Sequence, residues 1–283
     1  MNLTTPLLFL ALLAGCRQET TSAQRTTNHA PVPILHPEGK DLAARFTPPA
    51  DYQRKDLPPN SFGYYLRHIA LRPHGAAVHY FDGREKANPG IYAAVLTLDV
   101  GDKDLQQCAD AVMRLRAEYL WSNHRADEIS FDLTSGFKVD YPHWREGYRV
   151  KFNASKASWV KTTAPANDYA AYRAYLDFVY TYAGTLSLSK MLRPVTLMEM
   201  QVGDVFILGG SPGHAVTVMD MAVNAAGKKV YLLSQSYMPA QDIQVLENPD
   251  NKAISPWYEL DDRAPVIHTP QWDFTINQLK RFP

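Results

Sequence analysis

Neither sign of charge predominates. Lys+Arg and Asp+Glu both number 29 in 283 residues, so no global field draws the chain to nucleic acid or to an anionic surface. Past the first sixteen residues, no apolar run approaches membrane-spanning length. The nine histidines contain no ligand-spaced pair such as H-E-x-x-H, and no glycine-rich loop is there to cradle a phosphate, so neither a metal site nor a cofactor is expected. Cysteine is scarce, with only Cys16 and Cys108. What is present is a globular balance, 46% hydrophobic and 20% charged, ample for one substantial core. Aromatics are plentiful: 16 Tyr, 11 Phe and 5 Trp. Such a share serves buried packing first, and a groove for glycan or peptide second.

The N-terminal stretch "PLLFLALLAGC" is too short to span a bilayer and has the form of a signal-peptide apolar region. It ends Leu13-Ala14-Gly15-Cys16, which resembles the lipobox of bacterial lipoproteins. The resemblance implies removal of residues 1–15, lipidation of Cys16, and a protein anchored to a membrane of the cell envelope outside the cytoplasm. From Arg17 the chain is polar, Thr-rich and Pro-bearing, so residues 16–44 are expected to be a tether and 45–283 a single α+β domain.

If Cys16 carries lipid, Cys108 has no cysteine to pair with. A lone thiol outside the cytoplasm is either buried as a small hydrophobe or kept for its reactivity. Its setting favours reactivity. "DKDLQQCADAVMRLRAEYLW" predicts a helix with Asp104 and Gln107 as a capping box and Cys108 in the first turn. Cys108, Val112, Leu115 and Tyr119 form its inward stripe, with Arg114 and Arg116 on the solvated face. A thiol at a helix N-terminus feels the positive end of the dipole, and a lowered pKa is expected.

The stretch "GDVFILGGSPGHAVTVMD" holds two competing suggestions. Gly209 to Gly213 spells G-x-S-x-G, but the serine elbow needs a backbone N–H after the serine and then a helix. Here Pro212 follows, with no N–H, and the pattern after it is a strand. Ser211 is therefore a turn residue, and Ser187-Leu188-Ser189-Lys190 lacks the supporting elements of an S-x-x-K site. His214, at the start of the strand "HAVTVMD", survives as the base for a cysteine nucleophile. Asp220 cannot orient it, lying roughly 20 Å away along the same strand. The segment "MAVNAAGKKVYLLSQSY" predicts a hairpin turning at Asn224 to Gly227. An even loop sets His214 opposite Tyr237 with Gln235 as diagonal neighbour, and an odd loop puts Ser236 there instead.

Together "QCADAVMRLRAEYLW", "GDVFILGGSPGHAVTVMD", "QSYMPAQDIQVLENP" and "SPWYEL" resemble a bacterial family, domain of unknown function 4846, over about residues 60–258. More loosely, the cysteine at a helix start and the G-D-strand-turn-His-strand pattern resemble the NlpC-type cell-wall peptidases of the papain-like group. That second resemblance implies a papain-like core and a Cys108–His214–Gln235 site for thiolate attack on a carbonyl. The interval from Cys108 to His214 is longer than in that group, and no glutamine sits several residues before the cysteine, although Gln106 or Gln107 is placed to reach as oxyanion donor. Within the interval, "EISFDLTSGFKVDYPHWREGYRVKF" predicts short strands, with His143 and Trp144 in a loop able to line a groove. A helix is expected from Asp168 with the stripe Tyr172, Leu176, Val179 and Ala183. Gln107, Trp144 and Tyr237 are the expected substrate-binding residues. The expected substrate is a peptide or amide of the envelope, and the rival is a non-catalytic envelope protein binding glycan or peptide through an aromatic groove.

Overall fold

The structure, a computed structural model, describes residues 33–154 and 156–283 together with Met1 and Leu3. Apart from Met1 and Leu3, the expected signal peptide, Cys16 and the tether up to Val32 lie outside the described residues. From Pro33 onward the chain is already part of the packed unit, so the expected boundary at 45 falls inside it. Leu35 bridges Phe46. Asp41 caps the short helix Leu42–Arg45 by accepting from the Ala44 N–H at 2.7 Å, and Leu42 and Phe46 are fully buried.

The frame is an α+β arrangement around a mostly antiparallel sheet. Its strands run in the order Tyr92–Val95, Gln244–Leu246, Lys229–Gln235, His214–Asn224, Val205–Leu208, Leu279–Arg281 and Arg193–Pro194. Tyr52–Arg54 and Tyr258–Glu259 add to its margins. The strand beginning at His214 is the longest, and its first nine residues are buried, because β-branched and small apolar residues there are covered on both faces. The hairpin turns where the sequence pattern places it. Asn224 Oδ1 accepts from Ala226 and Lys228, and Gly227 supplies a φ of 78°.

Register along this hairpin decides the site. Near the turn Lys229 pairs with Val223 and Leu232 with Asp220. A bulge then shifts the pairing to Leu233 with Val218 and Ser234 with Thr217. Continued one residue, the shifted register sets Gln235 opposite Val216, as an even loop would. Without the bulge, Ser236 would occupy that place. Gln235 and His214 are neighbours because the strand carries one extra residue in its middle.

The helix Cys108–Ser122 is the central one. Cys108, Val112, Leu115 and Tyr119 are buried as the stripe predicts, but so is nearly everything else. Ala111 and Leu115 pack with Met219, Ala222 and Leu232 of the sheet, while Val112, Met113 and Leu120 pack with Tyr172, Leu176 and Val179 of the helix Tyr169–Tyr182. Arg114 and Arg116 are therefore not on a solvated face. Arg114 is fully buried, held by Glu118 at 2.6 Å, Gln106 Oε1 at 3.1 Å and the Tyr169 hydroxyl at 3.0 Å. Arg116 stacks over the rings of Phe62, Tyr119 and Phe282. An amphipathic reading assumes one wet face, and a helix between a sheet and a second helical layer has none.

The interval between Cys108 and His214 supplies that second layer. Ser130–Asp132 pairs with Lys138–Asp140, and Tyr148–Asn153 with Lys156–Lys161. Between them, Tyr141–Arg145 is a short helix and not a loop, capped by the Asp140 carboxylate on the His143 N–H at 2.9 Å. Trp144 is consequently in the core. Its indole donates to Ala171 O at 3.1 Å and its ring meets Tyr175 edge-on.

Candidate active site

Cys108 is the first residue of the central helix. The N-cap is Gln107, not Asp104, and the capping carboxylate is Asp110, which accepts from the Gln107 N–H at 3.0 Å. Asp104 instead accepts from the Ala240 N–H at 2.7 Å and from Gln107 Nε2 at 3.2 Å. These bonds tie the helix start to the loop after the Gln235 strand. The main-chain N–H groups of Cys108, Ala109 and Ala215 lie near enough to the sulfur to favour its ionised form. Ala215 is the residue after His214, so the thiol rests against the backbone of the strand that carries the imidazole.

His214 and Gln235 share one face of the sheet. It is the face of Val216, Val218, Tyr231 and Leu233, covered by Phe274 of the C-terminal hairpin Val266–His268/Asp273–Thr275. The central helix packs on the other face. The helix start that carries Cys108 and the strand start that carries His214 both lie at the end of the sheet where the Gln235 strand stops. There Cys108 and His214 line one cavity of about 280 Å³ with Gln107, Asp110, Tyr180, Thr185, Tyr237 and Trp272. Gln235 stands behind the imidazole. Gln106 turns the other way, toward Arg114, and Trp144 does not line the cavity. Of the expected substrate-binding residues, Gln107 and Tyr237 are at the site and Trp144 is not.

The imidazole is held on all sides. Its ring lies 4.9 Å from that of Tyr237, 5.4 Å from Trp272 and 5.9 Å from Phe274. Nε2 is 2.7 Å from Gln235 Oε1. A chain of partners fixes which end of each amide faces which neighbour. Lys86 Nζ, which can only donate, reaches Gln271 Oε1 at 2.8 Å, and Gln235 Nε2 donates to the same oxygen at 2.8 Å. Gln235 must then present its oxygen to the ring, so Nε2 carries the proton and Nδ1 keeps a lone pair. Ser236, the odd-loop alternative, donates instead to the carbonyls of Gln106 and Gln241. Lys86, Gln271, Trp272 and Phe274 were not legible as site residues, because each lies more than 35 residues from the partner it touches and none stands in a motif.

The electrostatics run against the lowered thiol pKa expected from the helix dipole. Burial pushes the Cys108 thiol up to about 11, the Asp110 carboxylate adds to the rise, and the three N–H groups offset only part of it. Burial takes His214 down to about 4, with the Gln235 hydrogen bond opposing and Lys86 reinforcing the fall. At neutral pH the pair rests as thiol and neutral imidazole. Iodoacetamide should therefore label Cys108 at pH 7.5 about a hundredfold more slowly than a free cysteine, the rate rising with pH until about 11. Rapid labelling at pH 7.5 that disappears in His214→Ala would instead show an ion pair.

Ser211 is exposed on the turn between Leu208 and His214, followed by Pro212 and then the strand. The turn is fixed by its glycines. A Cβ on Gly213 would lie 2.4 Å from the Gly210 carbonyl oxygen and 2.5 Å from Thr185 Oγ1. Thr185 itself donates to Gly210 O at 3.0 Å. Ser211→Ala should leave any activity of the site within about threefold of the parent, because no N–H follows the serine to receive an oxyanion. A loss above a hundredfold in a folded variant would return the serine to candidacy.

Fold and site together define an α+β protein in which a helix-start thiol and a strand-start imidazole share one cavity. The chain belongs to the family described as "Domain of unknown function (4846)", matched over residues 42–281. No curated protein and no solved structure matches it.

Proposed function

We propose that the protein is a papain-like thiol hydrolase of the NlpC type, anchored by lipid on Cys16 in the bacterial cell envelope and acting on a peptide or amide, with cell-wall peptide as the natural source. The observation that carries this reading is the hydrogen bond from His214 Nε2 to Gln235 Oε1 beside a thiol lodged against the next residue's N–H. It leaves the Nδ1 lone pair free of Gln235, on a residue that lines the same cavity as the thiol. Nδ1 takes the Sγ–H proton as sulfur bonds to the substrate carbonyl carbon, and the C=O pair moves to oxygen. The first-turn N–H groups of Cys108 and Ala109 have no helical partner and can hold that oxyanion. Collapse breaks the C–N bond as Nδ1–H protonates the leaving amine. A water deprotonated by Nδ1 then cleaves the thioester and restores the thiol.

The test is hydrolysis of envelope-derived peptides and simple peptide amides by the full chain, followed by mass spectrometry. Cys108-dependent cleavage supports the reading, and a trapped acyl-enzyme of the expected mass identifies the sulfur as nucleophile. The rival, a non-catalytic envelope protein, draws on the burial of the thiol. Its aromatic groove has less support, since Trp121, Tyr141, Trp144, Tyr172 and Tyr175 stack among themselves beneath the surface. No helix among the described residues is long and apolar enough to cross a membrane. On the lipid-anchor reading, Cys16→Ser should move the protein from the membrane to the soluble fraction. Persistence in the membrane fraction would defeat the lipid-anchor reading.

A further inference from the structure

We propose that Lys86 and Gln271 are positioning residues for His214, selecting through Gln235 which nitrogen of the ring carries the proton. The catalytic meaning of that selection rests on the hydrolase reading, whereas the selection itself does not.

The chain brings these two residues in from distant segments. Gly83, at a φ of 83°, turns the backbone between His79 and Glu85, which bridge each other. The turn is fastened to the segment after the Gln235 strand by the Phe81 N–H on Ala240 O and the Asp242 N–H on His79 O, both at 2.9 Å. Lys86 leaves it with its own N–H on Val78 O at 2.8 Å. Gln271 lies at the tip of the C-terminal hairpin, where the Thr269 N–H donates to Trp272 O at 2.9 Å. Neither Lys86 nor Gln271 lines the thiol cavity, so each acts on it through other side chains.

Lys86 is the only buried lysine among the described residues. Its ammonium has Gln271 Oε1 at 2.8 Å and the Tyr237 ring at 5.8 Å. Burial takes its pKa down to about 8, with no carboxylate opposing the fall. An ammonium held out of water without an acid beside it is costly. What it faces here is a chain of amides that ends on the imidazole.

The contacts run 2.8 Å from Lys86 Nζ to Gln271 Oε1, 2.8 Å from that oxygen to Gln235 Nε2, and 2.7 Å from Gln235 Oε1 to His214 Nε2. Such a chain has two polarities. In one, Gln235 Oε1 accepts from a protonated Nε2, and Nδ1 keeps its lone pair. In the other, both amides are turned over, Gln235 Nε2 donates to the ring, and the proton sits on Nδ1, which is then no base. The glutamines and the ring make equally many bonds either way, so they do not choose between the two. Lys86 chooses. Its ammonium has donors only, and in the turned-over chain it would meet the Gln271 amide N–H groups, two sets of donors without an acceptor. The same charge opposes protonation of the ring, so the imidazole stays neutral with Nδ1 bare.

The test reads the tautomer directly. In the full chain at about pH 6.5, with Lys86 charged and His214 neutral, the nitrogen-15 shifts of the His214 ring should show Nε2 protonated and Nδ1 bare. Lys86→Met should place the proton on Nδ1 in at least about a third of the molecules, and raise the ring's titration midpoint above about 4. Gln271→Leu should mix the tautomers in the same way while leaving the charge in place. The most discriminating variant is Lys86→Met/Gln271→Glu. A carboxylate only accepts, so it again fixes the Gln235 amide and should restore the single tautomer without the lysine. A lysine that merely braces the fold gives no such rescue. A parent ring protonated on Nδ1, a tautomer unmoved in the single variants, or no rescue in the double one overturns the proposal. Should Lys86→Met fail to fold, the parent tautomer and Gln271→Leu decide. Control of the tautomer with no cleavage by the parent protein would leave Lys86 and Gln271 as positioning residues and remove the hydrolase reading. Cleavage whose kcat and tautomer are both unmoved by Lys86→Met would do the reverse.

Discussion

Cys108→Ala is expected to lower kcat/KM for peptide or amide hydrolysis by at least about a thousandfold while the protein stays folded. The substitution removes one sulfur from a cavity wall, a change worth roughly 1 kcal/mol of packing. The loss is large because the sulfur supplies the covalent step and nothing else in the cavity replaces it. His214→Ala should cost about as much, since a thiol held up to about 11 is a poor nucleophile near neutrality without a base to take its proton. Gln235→Leu should cost less, on the order of tenfold to a hundredfold, because it frees the ring to exchange tautomers without removing it. The pH profile carries the sign of the mechanism. Activity requires Nδ1 unprotonated, so it should fall as pH drops toward about 4, where His214 gains its proton. It should stay level through neutrality and change again only as the thiol ionises near 11. Retention of more than a tenth of the activity in Cys108→Ala would end the thiol mechanism.

Much of this site was readable in the residues. Cys108 declares itself by standing alone at the start of a strongly patterned helix, and His214 by following a turn that cannot be a serine elbow. The hairpin turn is written in Asn224 and Gly227. Register was less secure, because a bulge leaves no mark in composition. The even-loop expectation names the right neighbour, Gln235, although the pairing near the turn is the odd one and an extra strand residue converts it. Other features were illegible for a shared reason: burial is a property of the assembly. Arg114 has the spacing of a solvated residue and lies fully buried, because a second helical layer covers its side. Trp144 has the composition of a groove residue and lies in the core, because the Asp140 cap turns its loop into a helix. The thiol illustrates the same limit. A dipole argument sees the helix terminus and predicts a lowered pKa, but it does not see the neighbours that desolvate the sulfur or the nearby Asp110 carboxylate that adds to the rise.

Asp220 shows where the sheet spends its buried charge, far from the imidazole it was too distant to serve. The residue is fully buried, and its two oxygens accept from Arg54 Nε at 2.6 Å and Arg67 Nε at 2.7 Å. Oδ1 also accepts from the Met221 N–H at 2.9 Å. Each arginine ties back to the N-terminal segment, Arg54 to Phe46 O and Arg67 to Lys55 O. One carboxylate therefore clamps the strand Tyr52–Arg54 and the helix Phe62–Arg67 onto the longest strand of the sheet. Asp220→Ala removes the anion and leaves two guanidiniums facing each other, with the Arg67 side chain only 9% exposed. Breaking one member of such a group costs about 3–5 kcal/mol, much of it from stranded charge rather than lost attraction. In a domain of this size that is a fall in Tm of roughly 6–20 °C. Removing the charges together should cost much less, so Arg54→Met/Arg67→Met/Asp220→Leu should recover most of the loss. Chemical denaturation of the two variants beside the parent measures both effects. If Asp220→Ala costs under about 1 kcal/mol, the clamp is not what fastens the N-terminal segment, since a buried group broken at one end cannot be that cheap.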